Sequence, residues 1–278
     1  MKQKKSLIFL SLSLLLGVIG GILRSRQVAF AFEAGTDLLI KGNFETVGLH
    51  IICIVSVLLF LAAAMYMRLT SGKYNDESAG FIFTEKLLYI VSAFVLLFGV
   101  AYELIKGGAP AASRIIFMAL SIFAAASVLI AAKHNRVNTS KDYAFFRLVP
   151  VFWNCFWLIL FYRDRSSNPN VETYSYELLA LAMSALMFYY SAGDGFGAPK
   201  PSIGLFFCMG TVFFSTTAVV GQIAGSVIYM SQSFHIDSAV YLLACAAFAF
   251  AAGLGLYVPG PVTQENGMTE DPPEPEDE

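Results

Sequence analysis

Apolar residues in this chain gather into eight long stretches, at roughly 6–23, 47–67, 86–105, 113–132, 146–162, 174–192, 203–224 and 238–257, with short polar segments between them. No Lys, Arg, Asp or Glu falls in the middle of a stretch. A helix needs about 20 apolar residues to cross a hydrocarbon core about 30 Å thick, and a soluble chain of 278 residues cannot hide eight such segments. The pattern predicts an all-α fold, a polytopic transmembrane helical bundle of about eight spans. The breaks agree with it. Lys106-Gly-Gly-Ala-Pro110 stops a helix with two glycines and a proline, making spans three and four an antiparallel hairpin. Asn168-Pro169 reads as an N-cap with proline at the first helical position, launching span six, and Gly193–Pro201 reads as a loop. The long first connection shortens if span one continues as helix to about Glu33 and stops before Gly35.

Composition sharpens the class. The chain is 57% hydrophobic and only 14% charged, where a soluble domain carries about 25% charged residues. Residues 1–258 form one transmembrane helical domain. Residues 259–278 are acidic, Pro-rich and nearly free of apolar side chains, so they are expected to be a disordered cytoplasmic tail. Cys53, Cys155, Cys208 and Cys245 lie in spans at different depths, which argues against a disulfide framework. Met1-Lys-Gln-Lys-Lys5 followed by Ser6–Leu23 reads as an uncleaved signal anchor, although Ala29-Phe-Ala31 offers a weak cleavage site. With the amino terminus inside, eleven Lys and Arg fall on the inner side and seven on the outer. Both termini are therefore expected in the cytoplasm.

Candidate chemistry concentrates at the outer ends of the spans. Glu103 and Lys106 close span three and Arg114 opens span four, so hairpin geometry brings Glu103 and Arg114 to matched depth for an ion pair. Arg163 and Arg165 leave span five while Glu172 and Glu177 enter span six. These charges serve either as interfacial ion pairs that lock hairpins or as a charged vestibule for a polar ligand. In span five, Arg147, Pro150, Asn154, Trp157, Phe161 and Arg165 recur every three or four residues and form one stripe. Asn154 and Gln222 are candidate intramembrane polar contacts. Trp153 and Trp157 read as packing bulk. Gly210, Thr217, Gly221 and Gly225 give span seven a small-residue face for close packing with the alanine-rich span eight. Tyr174, Tyr176, Tyr189 and Tyr190 read as aromatic belts at the two membrane interfaces. His50, His134 and His235 are scattered, and neither a metal nor a catalytic motif occurs. No catalytic residue, cofactor or metal is assigned, and no basic run suits nucleic acid.

The segment Pro150–Gly197, with Phe156-Trp-Leu-Ile-Leu-Phe-Tyr-Arg-Asp-Arg-Ser-Ser-Asn-Pro-Asn and Tyr189-Tyr-Ser-Ala-Gly193, resembles a pattern in an uncharacterised family of bacterial multi-pass inner-membrane proteins. The resemblance implies a multi-pass integral protein of the cell membrane and brings no activity. Three function classes stay open: a non-enzymatic protein that binds, senses or moves a small polar solute; a structural or scaffolding subunit packing with a partner; and a membrane-embedded enzyme. The expected partners are the lipid bilayer and a second membrane subunit or copy of the chain.

Overall fold

The computed structural model describes residues 2–33, 39–40, 42–70, 83–106, 111–133, 145–166, 170–196, 200–229 and 235–255. Among them are eight α-helices: α1 (Lys2–Phe30), α2 (Phe44–Thr70), α3 (Phe83–Ile105), α4 (Ala112–Lys133), α5 (Val149–Arg165), α6 (Ser175–Gly195), α7 (Pro201–Val227) and α8 (Ile236–Gly255). The fold is all-helical. Six of the helices are long and apolar enough to cross a membrane: α1 to α4, α7 and α8. Helix α5 has 17 residues, and α6 is diluted by Tyr176, Glu177, Ser184, Tyr189, Tyr190 and Ser191. Large apolar side chains such as Ile54, Leu58, Phe94, Phe123 and Phe152 stand exposed on the outside of the bundle, as the lipid face of a membrane helix requires.

Successive helices run in opposite directions. The carboxyl ends of α1, α3, α5 and α7 and the amino ends of α2, α4, α6 and α8 therefore share one end of the bundle, here called distal. The chain's amino terminus marks the proximal end. Both ends of the described bundle are proximal, since Ser6 donates a hydrogen bond to the Gly253 carbonyl at 2.7 Å.

Helices α7 and α8 form the centre. In their most apolar stretches 78% of residues are buried, against 28–39% for α1 to α4. Helix α7 is packed by α1, α2, α6 and α8, while α8 also meets α3 and α6; α4 and α5 close the ring between α3 and α6. The closest packing is of α1 on α7. A Cβ on Gly17 would fall 2.9 Å from the Phe213 carbonyl oxygen, and one on Gly21 would fall 2.5 Å from Val220 Cβ. Small residues let the backbones approach until hydroxyls bridge them. Ser13 donates to the Met209 carbonyl at 2.6 Å and Thr217 to the Gly17 carbonyl at 3.2 Å.

Several sequence expectations are corrected. Helix α1 ends at Phe30 rather than near Glu33, because Phe32 turns out to form a bridge with Leu39 and Ala31 accepts a bond from Ile40. Helix α5 starts at Val149, with Pro150 in its first turn, where the missing N–H costs nothing. Helix α6 starts at Ser175, after a 3₁₀ turn over Val171–Thr173, rather than at Pro169. It runs on to Gly195, so Gly193 and Gly195 are helical rather than loop. Tyr174 and Tyr176 are buried within the bundle instead of lying in an interfacial belt. The small face of α7 is shared out: Thr217 and Gly221 meet α1, and Gly210 meets Met183 of α6. The Gly-Gly-Ala-Pro turn at 107–110, Asn168-Pro169 and the acidic tail 259–278 lie outside the described residues. All four cysteines carry free thiols.

Candidate functional site

At the distal end, α3, α4, α5 and α8 part around a cavity of about 270 Å³. Its rim is charged and its floor aromatic. Glu103 and Lys106 come from the last turn of α3, Arg114 from the first turn of α4, Asp164 and Arg165 from the end of α5, and His235 and Asp237 from the start of α8. The antiparallel order of the helices brings four helix ends to one level, and each places its terminal charges there. Arg114 is the hub, with Nη1 3.2 Å from Glu103 Oε1 and Nη2 3.5 Å from Asp164 Oδ2. Lys106 Nζ stands 3.7 Å from Asp237 Oδ2. Three acids and three permanent cations thus face one space, with balanced charge. Burial first, and the neighbouring Arg165 second, hold the His235 imidazolium below its ordinary range, against the opposite pull of Asp237. The neutral ring is favoured there.

Phe117, Trp157, Leu160, Phe161 and Tyr241 wall the cavity. The Phe117 and Tyr241 rings meet edge to face at 5.1 Å between centroids, and Trp157 and Tyr241 meet at 5.5 Å. Tyr241 lies deep because α3 has Gly99 opposite: a Cβ there would fall 2.6 Å from the tyrosine ring. The buried Tyr241 hydroxyl faces Ser121 and, among the described residues, meets no partner in good hydrogen-bond geometry. The nearby Ser121 hydroxyl is engaged with the Trp153 indole and the Phe117 carbonyl.

A second polar group occupies the same end on the other side of α6. Arg24, 5% exposed, donates to the Gln27 side-chain oxygen and, at 2.7 Å each, to the carbonyls of Glu172 and Thr173. Its guanidinium carbon sits 5.0 Å from the Tyr176 ring centroid, within cation–π range. Gln27 in turn donates to Thr46 at 3.2 Å. The Arg24 stem crosses α7 at Gly221, where a Cβ would fall 2.7 Å from its Cγ. Beside it the buried Glu177 accepts a 2.5 Å bond from Gln222, and its other oxygen lies 3.8 Å from Arg165.

The outer cluster expected from sequence therefore divides. Glu103 and Arg114 pair as the hairpin argument requires, and with Arg165 they line the cavity. Arg163 points away, to Asp164 at 2.8 Å and Ser113 at 3.2 Å. Glu172 turns its carboxylate to His50 at 3.9 Å and its carbonyl to Arg24, and Glu177 joins Gln222. Asn154 donates to Ser184 at 2.7 Å, away from the cavity. Sequence reasoning missed Arg24, Asp164, His235 and Asp237. A signal existed for Asp237, the one charged residue between Lys200 and the tail. Among the described residues no three of His, Cys, Asp and Glu group so as to hold a metal ion. No family model matches the chain, and neither a curated protein nor a solved structure matches it.

Proposed function

We propose that the chain is a non-enzymatic integral protein of the cell membrane that binds a small solute carrying both positive and negative charge. In this reading α5 and α6 also span, making eight crossings. The distal end faces outward and both termini face the cytoplasm, following the Lys and Arg bias. The resemblance noted in the sequence suggests a bacterial inner membrane. The distal cavity carries the proposal. Its volume of about 270 Å³ falls just below the range of about 300–1,000 Å³ for small-molecule pockets, so a nucleotide or a drug-sized ligand is too large. Its rim offers Glu103, Asp164 and Asp237 beside Lys106, Arg114 and Arg165. A single-charge ligand would leave half of these groups opposed; a dipolar one can exchange with both members of a pair. The aromatic wall suits an apolar or methylated body.

Thermal unfolding of the detergent-purified protein tests this with four probes: glycine and glycine betaine as dipolar solutes, acetate and methylammonium as their single-charge halves. Ligand binding to the folded state raises the melting temperature by mass action. A rise is expected with a dipolar probe, smaller or absent with both halves, and lost in Asp237→Asn. A flat response to all four favours the structural-subunit reading instead.

A further inference from the structure

The distal cavity has a counterpart. At the proximal end α3, α4, α5, α6 and α8 enclose a second space of about 20 Å³, room for about one water. It too presents an acid, a base, hydroxyls and aromatic rings: Glu85, Arg147, Ser127, Ser191, Tyr89 and Phe248. The two spaces share four helices in the same register. On α5, Pro150 lines the proximal space and Trp157 the distal one; on α8, Phe248 and Tyr241 do the same. Each interval is seven residues, about 10 Å of helix.

What separates them is mostly small. Ser121 and Ala124 of α4 and Ala244 and Cys245 of α8 occupy the intervening buried levels. One large side chain fills the gap from α5. Trp153 is fully buried, stacks on Phe117 at 6.1 Å on the distal side, and meets Phe188 of the proximal wall at 6.2 Å. Its indole nitrogen donates to Ser121 at 2.8 Å, and the rings of Trp157 and Tyr241, at 5.5 and 6.0 Å between centroids, pack against it as well, so a hydrogen bond and an aromatic cage together hold the rotamer that closes the gap.

From this juxtaposition we infer that the two cavities are the ends of one transport path for a dipolar solute, that Trp153 is its gate, and that the structure is the outward-open state. The inference rests on the proposed distal binding site and extends it. A small charged space in register beneath the distal cavity, closed from it by Trp153 and the aromatic rings packed on it between helices that carry small residues, is the arrangement of a path shut at one end. In this path the indole swings off Ser121 as the rings packed on it, Phe117, Trp157 and Tyr241, give way, and the two spaces join. The solute class follows from the shared acid–base–aromatic lining.

Cysteine accessibility tests it in sealed vesicles of known sidedness, with Cys53, Cys155, Cys208 and Cys245 replaced by serine. The probes are membrane-impermeant methanethiosulfonates, one a quaternary ammonium and one a sulfonate, added on the distal side. Ser238→Cys reports the distal cavity and Ser191→Cys the proximal one. With Trp153 intact, Ser238→Cys is modified and Ser191→Cys reacts slowly. Adding Trp153→Ala should speed modification of Ser191→Cys about tenfold, equivalent to removing roughly 1.4 kcal/mol of barrier. Ser121→Ala, which frees the indole without creating a void, should give a smaller increase, and it serves if Trp153→Ala does not fold. Phe152→Ala, on the exposed face of the same helix, should give none. If Ser238→Cys is modified but Ser191→Cys is unmoved by both Trp153→Ala and Ser121→Ala, the path is overturned and the distal binding site stands. If Ser238→Cys is itself unreactive, the distal cavity is closed to solutes and both readings fall.

Discussion

The two polar groups at the distal end hold similar residues at similar depth, yet they differ in kind. Around the cavity, Arg114 and Asp164 are each about 40% exposed, and their charges are satisfied by one another and by solvent. Around Arg24 the cation is nearly sealed, and it is met by backbone carbonyls, an amide and an aromatic face. The first arrangement keeps its charges available to a visitor. The second spends them on tying α1 to the α5–α6 connection across the central helix α7. Charge at a membrane interface thus does not by itself mark a site; what matters is whether a second charge or a solute can still reach it.

Breaking the sealed group should have the largest effect. Arg24→Met leaves the Glu172 and Thr173 carbonyls and Gln27 without their donor, and removing one member of a buried charged network costs about 3–5 kcal/mol. A matching drop in stability is expected in reversible unfolding in mixed micelles, with the distal cavity's ligand response retained in the fraction that folds. Gly221→Ala comes next. Its Cβ would press on the Arg24 stem at 2.7 Å, and overpacking costs about 1–3 kcal/mol. Because the two residues touch, Arg24→Met should relieve part of the Gly221→Ala penalty, a non-additivity that a double-mutant cycle reads directly.

Smaller effects are expected on the open side. Asp164→Asn removes one partner of Arg114, which keeps Glu103; both side chains of the lost pair are about 40% exposed, so the cost should be at most about 1 kcal/mol, as for exposed ion pairs. A loss as large as that of Arg24→Met would erase the distinction between the two groups. The smallest effect is a pH dependence. Burial and Arg165 depress protonation of His235 in the folded protein. The unfolded chain therefore binds the proton first as pH falls below the ordinary imidazole value of about 6.5. The stability contribution is full above that pH and declines as pH drops through the folded midpoint. An NMR titration of the labelled histidines should show a midpoint below 6.5 that is absent in His235→Gln.

Much of the fold was legible in the chain. The Glu103–Arg114 pair followed from a hairpin with matched depth, and the α5 stripe of Pro150, Asn154, Trp157 and Phe161 is indeed buried. The site was legible only in part. Glu172 and Glu177 were grouped with Arg163 and Arg165 because they are neighbours along the chain. In space Glu177 keeps Arg165 at 3.8 Å but is shared with Gln222 of α7, while Glu172, in the 3₁₀ turn, gives its carboxylate to His50 of α2 and its carbonyl to Arg24 of α1. Arg24 was not singled out, because nothing local shows that α7 has a glycine where its stem must pass.

By itself the sequence determined that the chain folds into long apolar helices and that charges collect at their ends, because a hydrocarbon core excludes unpaired charge and sets span length. Only the tertiary structure decided which helix is central, which charges share a cavity and which are sealed. The reason is that lipid and protein interior are equally apolar. The protein-facing and lipid-facing sides of a membrane helix therefore carry similar residues, and the periodicity that reveals the buried face of a soluble helix says little here. Trp153 and Phe152 are adjacent, both apolar and both on α5; one closes the gap between two cavities and the other faces outward, and only packing tells them apart.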